Sequence, residues 1–170
     1  MLVAVGIALK LLAIILLMRI AWIDFSEQRI SNRDVLILLG AGAGALAIGW
    51  LAGGSLWCLG VGVVAGLLLF CVLIPFWLLR KVGAGDVKLL AVAPIATGGD
   101  NLFLFSLLLL VAAAITAFVV TNPLILPEGL FRRYVLLLDR KGVVPFGVPI
   151  AASLVVVVVL QIVRELTTPV

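Results

Sequence analysis

The chain has 170 residues, of which 65% are hydrophobic and 12% charged, with a formal net charge of +4 and a mean hydropathy of +1.41. A water-soluble domain of this length cannot bury so much apolar surface, so the composition excludes a soluble fold and favours a polytopic membrane protein. The basic residues lie in short connections between apolar segments, where they set membrane orientation. We therefore expect the chain to contact a lipid bilayer and not nucleic acid.

Six apolar segments follow one another, and the predicted fold is an all-α membrane protein with six transmembrane helices. Their predicted bounds are roughly 2–23, 34–52, 56–79, 86–99, 102–120 and 145–163. A polar loop is predicted over 24–33, and a short helix on the membrane surface is predicted within 121–144. No second domain is expected, so residues 1–170 are interpreted as a single membrane-embedded domain.

The fourth segment differs from the others in length. Its 14 residues would cover about 20 Å as a helix, which is short of a hydrocarbon core of about 30 Å. Irregular backbone at membrane depth must be buried by protein or line a wet cavity. The glycine-rich residues Gly83–Asp86 are therefore predicted to lie below the membrane surface.

Charged residues divide unevenly between the two sides of the predicted bundle. Only Arg164 falls on one side, whereas nine basic residues fall on the other: Arg29, Arg33, Arg80, Lys81, Lys88, Arg132, Arg133, Arg140 and Lys141. The positive-inside rule then predicts a multi-pass protein of the cytoplasmic membrane with both termini outside the cytoplasm. Within the first segment, Arg19 is expected to extend to the nearer interface, and the sequence offers no account of Lys10.

The residue types present limit the possible chemistry. The chain has no histidine, which excludes Ser-His-Asp and Cys-His catalysis. Cys58 and Cys71 lack the spacing of a metal or redox cluster, so we expect them to be packing residues, with no metal and no cofactor. Acid–base chemistry must then fall to carboxylates, to lysines or to the single tyrosine.

Two aspartates stand at the same predicted depth. Asp24 ends the first segment and Asp86 begins the fourth. Two carboxylates at close range share one proton, which supplies a general acid and a general base in one site. Each residue also has a simpler interpretation, because Asp24 could merely end a span and Asp86 could be a helix N-cap. Gly83 and Gly85 would let the backbone bend and an extended peptide approach.

At these positions the sequence resembles a known family. The segment GAGDVKL at 83–89 resembles the GxGD signature of membrane aspartyl proteases in the form that prepilin peptidases carry. Asp24, Ile30 and Asn32 resemble the Asp-x5-Ile-Pro-Asn pattern of the same family, with Ser31 in the place of proline. The segment VPFG at 144–147 is similar to the element that opens the family's last span.

The resemblance implies a membrane aspartyl endopeptidase of the prepilin peptidase type, in the short form of Flp/Tad-type pilus systems or of archaeal preflagellin peptidases. It implies cleavage of the basic leader from type IV pilin-like precursors at the cytoplasmic membrane face. N-methylation is not expected, because the sequence has no extension with Cys-x-x-Cys pairs. The implied catalytic residues are Asp24 and Asp86, and the implied supporting residues are Gly83, Gly85, Lys88, Ile30, Asn32 and Pro145.

Several supporting roles stay open at this point. Lys88 could tune Asp86 or bind a substrate carboxylate, or it could be a lysine that only sets topology. Glu27 and Asp34 could attract a basic leader, or they could be solvated loop charges. Asn32 could hydrogen-bond the loop of the first aspartate, or it could be the N-cap of the second span.

Two other classes of protein remain possible on the sequence. One is a small ion- or proton-coupled transporter that uses Asp86, since glycine-broken short helices beside a carboxylate occur in transporters. The other is a non-enzymatic assembly subunit that acts through the polar segment 121–144. The sequence leaves the oligomeric state and the identity of the substrate open.

Overall fold

The computed structural model of the protein describes residues 1–80, 82–122, 129 and 146–167. These residues form an all-α fold, as predicted. The helices, in chain order, are α1 (Leu2–Glu27), α2 (Asn32–Leu51), α3 (Leu56–Leu78), α4 (Ala84–Thr97), α5 (Leu102–Thr121) and α6 (Gly147–Thr167), with a 3-10 turn at Gly99–Asn101. Among the described residues, five helices are long and apolar enough to cross a membrane, and the 14-residue α4 is the exception. The predicted surface helix and Pro145 lie outside the described residues.

The first helix is longer than predicted, which changes the position of Asp24. The predicted polar loop over 24–33 is wrong at both ends, because α1 continues to Glu27 and α2 already begins at Asn32. The Ser26 hydroxyl donates to the Trp22 carbonyl, and Gln28 ends α1 in a left-handed conformation with φ of 55°. Asp24 therefore lies on a rigid helix rather than in a loop.

The short helix α4 lies at the centre of the bundle, where it packs against α2, α3 and α6. Its contact with α3 is close enough to require glycine. A Cβ atom on Gly62 would lie 2.8 Å from the Pro94 carbonyl oxygen, and one on Gly66 would lie 2.5 Å from the Ala91 oxygen. Small residues of this kind let membrane helices approach at backbone distance.

The same contacts give the depth at which α4 begins. Because Gly62 faces Pro94 and Gly66 faces Ala91, α3 and α4 run antiparallel. In this register, the first residue of α4, Ala84, does not reach the level of Leu78, the last residue of α3. It lies about 7 Å short of that level, measured along the α3 axis. The start of α4 is therefore recessed relative to the end of α3.

Polar side chains join the helices at the opposite end of the bundle. Lys10 of α1 forms an ion pair with Glu165 of α6, which accounts for the lysine that the sequence left unexplained. Gln161 of α6 donates from Nε2 to the Thr97 carbonyl oxygen at the end of α4, over 2.6 Å. We call this region, defined by Lys10, Thr97, Gln161 and Glu165, the Glu165 end.

Candidate active site

A cavity of about 570 Å³ opens where α1 ends and where α2 and α4 begin. Both Asp24 and Asp86 line it, and we call this region the Asp24 end. Asp24 is 6% exposed, and Asp86 is half-buried. Helices α1 and α4, which carry the two aspartates, both pack against α2 and α6. Asp24 lies near the end of α1, and Asp86 lies near the start of α4.

Asp24 lies in the last turn of α1 and faces the first turn of α6. A Cβ atom on Gly147 would lie 2.6 Å from Asp24 Oδ2, so only glycine leaves room for the carboxylate there. A helix N-terminus favours a negative charge, because its free amide groups point outward. Sequence reasoning named Pro145 and missed Gly147, although the VPFG segment contains both.

Asp86 is held in the first turn of α4. Gly83 is the N-cap of this helix, so the interpretation of Asp86 as an N-cap is wrong. The prediction of irregular backbone through Gly83–Asp86 is also wrong beyond Gly83, because the Val87 amide already donates to the Gly83 carbonyl over 3.2 Å. Helical backbone fixes the direction of the Asp86 side chain more firmly than a loop would.

Ile30 connects the two aspartate segments. A Cβ atom on Gly85 would lie 2.8 Å from Ile30 Cβ, and one on Gly147 would lie 3.0 Å from Ile30 Cδ1. The isoleucine side chain thus fills the space between the first turns of α4 and α6. Gly85 is needed for this close approach and not, as expected from the sequence, for a sharp bend.

A hydrogen bond makes a second connection between the same segments. Lys88 donates from Nζ to Asn32 Oδ1 over 2.7 Å. The N-cap of α2 is Ser31, so the interpretation of Asn32 as a cap is wrong. The charged hydrogen bond instead joins the start of α2 to the start of α4, beside Asp86.

Arg19 and Asp34 also line the cavity. The sequence offered Asp34 as one of two residues that could attract a basic leader, and it did not place Arg19 at the site. Arg19 Nη1 lies 3.3 Å from Asp34 Oδ1, so the side chain of Arg19 reaches the start of α2. Asp34 is 1% exposed, which overturns its interpretation as a solvated loop charge. The sequence contained a signal for this pair, because Arg19 and Asp34 are charged residues within two adjacent apolar segments.

The charge of the cavity is negative. Its described lining contains four acidic and two basic side chains, namely Asp24, Glu27, Asp34, Asp86, Arg19 and Arg29. Among the described residues, no three acidic or cysteine side chains are arranged to hold a metal ion. Two carboxylates that line one cavity can supply acid and base to a bond held between them.

The site is therefore that of a helical membrane protein with two aspartates in one recessed cavity. The model of the type IV leader peptidase family matches residues 11–121, which include both aspartates, and the chain belongs to this family of peptidases. Helix α6 follows the matched range. Searches of curated proteins and of solved structures returned no significant match.

Proposed function

We propose that the protein is an aspartyl endopeptidase that removes the basic leader from type IV pilin-like precursors, with Asp24 and Asp86 as its catalytic pair. The observation that carries this proposal is the shared cavity of about 570 Å³, which both carboxylates line. Membership of the type IV leader peptidase family supports the same conclusion, because the matched residues include both aspartates.

The pair acts on water and on the scissile carbonyl group. One aspartate, ionised, takes a proton from a water molecule as its oxygen attacks the carbonyl carbon. The other aspartate, protonated, donates its proton to the carbonyl oxygen and leaves a tetrahedral diol. Collapse of the diol breaks the C–N bond: the first carboxyl group gives its proton to the leaving amine, and the second carboxylate takes a hydroxyl proton from the diol, which returns both aspartates to their starting states.

The cavity also suits the expected substrate. Its negative lining attracts a basic leader, and the recessed start of α4 brings Asp86 to the depth at which a hydrophobic helix would begin. A precursor with a basic leader before an apolar helix then places the junction between them at the aspartates.

We also propose an orientation for the protein in the cytoplasmic membrane. The basic residues around the Asp24 end, among them Arg29, Arg33, Arg80 and Lys88, assign this end to the cytoplasm by the positive-inside rule. Both termini then lie outside the cytoplasm, which requires α4 to complete a crossing together with the segments that flank it.

Co-expression with a pilin-like precursor, followed by mass measurement of the precursor's N-terminus, tests the proposal. Asp24→Asn and Asp86→Asn keep the shape of each side chain but remove its proton chemistry, so each should reduce cleavage below detection. Asp100→Asn is the matched control, because Asp100 lies in the 3-10 turn and borders a different cavity. Cleavage by either active-site variant at the normal rate would refute the proposal.

The same mass spectrum tests methylation. The two cysteines, Cys58 and Cys71, are free thiols on α3, and they do not form the Cys-x-x-Cys pairs on which the expectation about methylation depends. We propose cleavage without N-methylation, so the new N-terminus should carry the mass of an unmodified amine. A product heavier by one methyl group, formed only when this chain is present, would contradict this part of the proposal.

A further inference from the structure

Asp34 is a buried carboxylate whose hydrogen-bonding capacity is unused. It is 1% exposed, and neither of its carboxylate oxygens accepts a hydrogen bond within the described part of the chain. A buried carboxylate is costly unless it is paired and hydrogen-bonded. Its ion-pair partner, Arg19, contributes one nitrogen at 3.3 Å without a hydrogen bond, rather than the two parallel bonds that arginine and carboxylate can form.

Arg19 is the loosely held member of this pair. Its side chain is 62% exposed, whereas that of Asp34 is 2% exposed. A long exposed arginine side chain can move to the membrane surface at little cost. If another cation takes its place, Asp34 remains paired, so the exchange avoids the large cost of an unpaired buried charge.

The place that Arg19 occupies opens into the catalytic cavity. Asp34, Arg19, Asp24 and Asp86 all line the same 570 Å³ space. A cation bound to Asp34 would therefore belong to a molecule that also meets the two catalytic aspartates.

On the basis of the proposed function, we propose that Asp34 is a specificity-determining residue that binds a lysine or arginine side chain of the substrate leader. Arg19 occupies the same position in the free protein and is displaced when substrate binds. The basic leader is thus recognised by one specific residue, Asp34, in addition to the general negative charge of the cavity.

Cleavage kinetics of the purified full-length protein in lipid vesicles can test this assignment. Two precursors are compared, one with a basic leader and one in which the leader's lysines and arginines are replaced by glutamine. Asp34→Asn should raise the KM for the basic precursor by about tenfold and leave its kcat nearly unchanged. The KM for the neutral precursor should not change.

Arg19→Gln separates substrate binding from a structural role. If Arg19 occupies the position that a lysine or arginine of the leader takes, then Arg19→Gln removes a competitor for Asp34. The KM for the basic precursor should then stay equal or become lower. If the Arg19–Asp34 pair only holds α1 against α2, Arg19→Gln and Asp34→Asn should impair both precursors alike. That result would overturn the assignment, and Arg19→Gln alone decides the question if Asp34→Asn fails to fold.

Glu27→Gln is the matched control for general electrostatic attraction. Glu27 lines the same cavity but is exposed, so this substitution removes the same charge as Asp34→Asn without altering the buried Asp34 carboxylate. Its effect on KM should be smaller and should disappear at high salt, because exposed charges are screened. An equal, salt-insensitive effect of Glu27→Gln would contradict a specific role for Asp34. Cleavage that survives Asp24→Asn or Asp86→Asn would instead refute the proposed function itself.

Discussion

The two ends of the helical bundle use charged and polar side chains in opposite ways. At the Glu165 end, Lys10 is paired with Glu165, and the Thr97 carbonyl oxygen accepts hydrogen bonds from Gln161 and Asn101. At the Asp24 end, Asp24 Oδ2 and both oxygens of Asp34 are buried without a hydrogen bond from any described residue. The polar groups at the Glu165 end join helices to one another, whereas buried carboxylate oxygens at the Asp24 end accept no hydrogen bond from the described residues.

This difference shows how an unfavourable site can persist in a small membrane protein. Buried polar groups without partners reduce stability, and native proteins retain them mainly where they serve a function. The Glu165 end joins α1 to α6 and α4 to α6, which are the helices that carry Asp24, Gly147 and Asp86. We infer that contacts at the Glu165 end stabilise the helices that carry the buried carboxylates of the Asp24 end.

The largest expected effect comes from filling the space between α6 and the Asp24 carboxylate. Gly147→Ala places a methyl group 2.6 Å from Asp24 Oδ2, so the carboxylate or the helix must move. A displacement near 1 Å can reduce a rate by on the order of a hundredfold, and we expect kcat to fall by that amount. Precursor cleavage by the purified protein would measure it.

Gly60→Ala is the control for this substitution. A Cβ atom on Gly60 meets nothing within 4 Å among the described residues, and alanine is the better helix former. Its cleavage rate should match that of the unchanged protein. Equal rates for the two alanine variants would mean that α6 does not position Asp24, and the contrast between the two ends would lose its structural basis.

A smaller effect is expected from the hydrogen bond between the two aspartate segments. Lys88→Met and Asn32→Ala each remove one partner of the 2.7 Å hydrogen bond beside Asp86. A hydrogen bond to a charged group contributes enough free energy for each variant to lower kcat by about tenfold. Because both substitutions break the same bond, the double variant should be no slower than either single variant. Losses that multiply in the double variant would show that the two residues act separately.

The sequence predicted the all-α fold and the common location of the two aspartates, because both features give local signals. Long apolar segments indicate membrane helices, and a carboxylate at the edge of such a segment is conspicuous. The helix ends were less accurate, since polar residues such as Ser26 and Glu27 continue α1 beyond its apolar part. The prediction for the fourth segment located Asp86 correctly but missed the helical backbone of Gly85.

Partnerships between distant residues could not be predicted in this way. Lys10 and Glu165 lie 155 positions apart, so nothing local in the sequence connects them. The contacts of Ile30 with Gly85 and Gly147 likewise depend on how three helices assemble. Such pairings follow from packing, which hydrophobic patterning determines only in outline.

The smallest effect should be seen at the paired end, where a lost ion pair affects stability rather than catalysis. Lys10→Met leaves Glu165 without its partner, and Glu165→Gln does the same to Lys10. Polar interactions between membrane helices contribute about 1 kcal/mol, so each variant should lower the free energy of unfolding by about that amount. Denaturation of the protein in detergent micelles would measure the change.

Cleavage measured well below the unfolding temperature should be nearly unchanged in both variants, because neither residue borders the cavity at the Asp24 end. The double variant Lys10→Met with Glu165→Gln should recover part of the lost stability, since it leaves no unpaired charge in the membrane. A Lys10 variant that stays fully folded yet cleaves slowly would show that the two ends are coupled in catalysis. The distinction between the Glu165 end and the Asp24 end would then be wrong, and α1 would have to transmit structural changes from one end to the other.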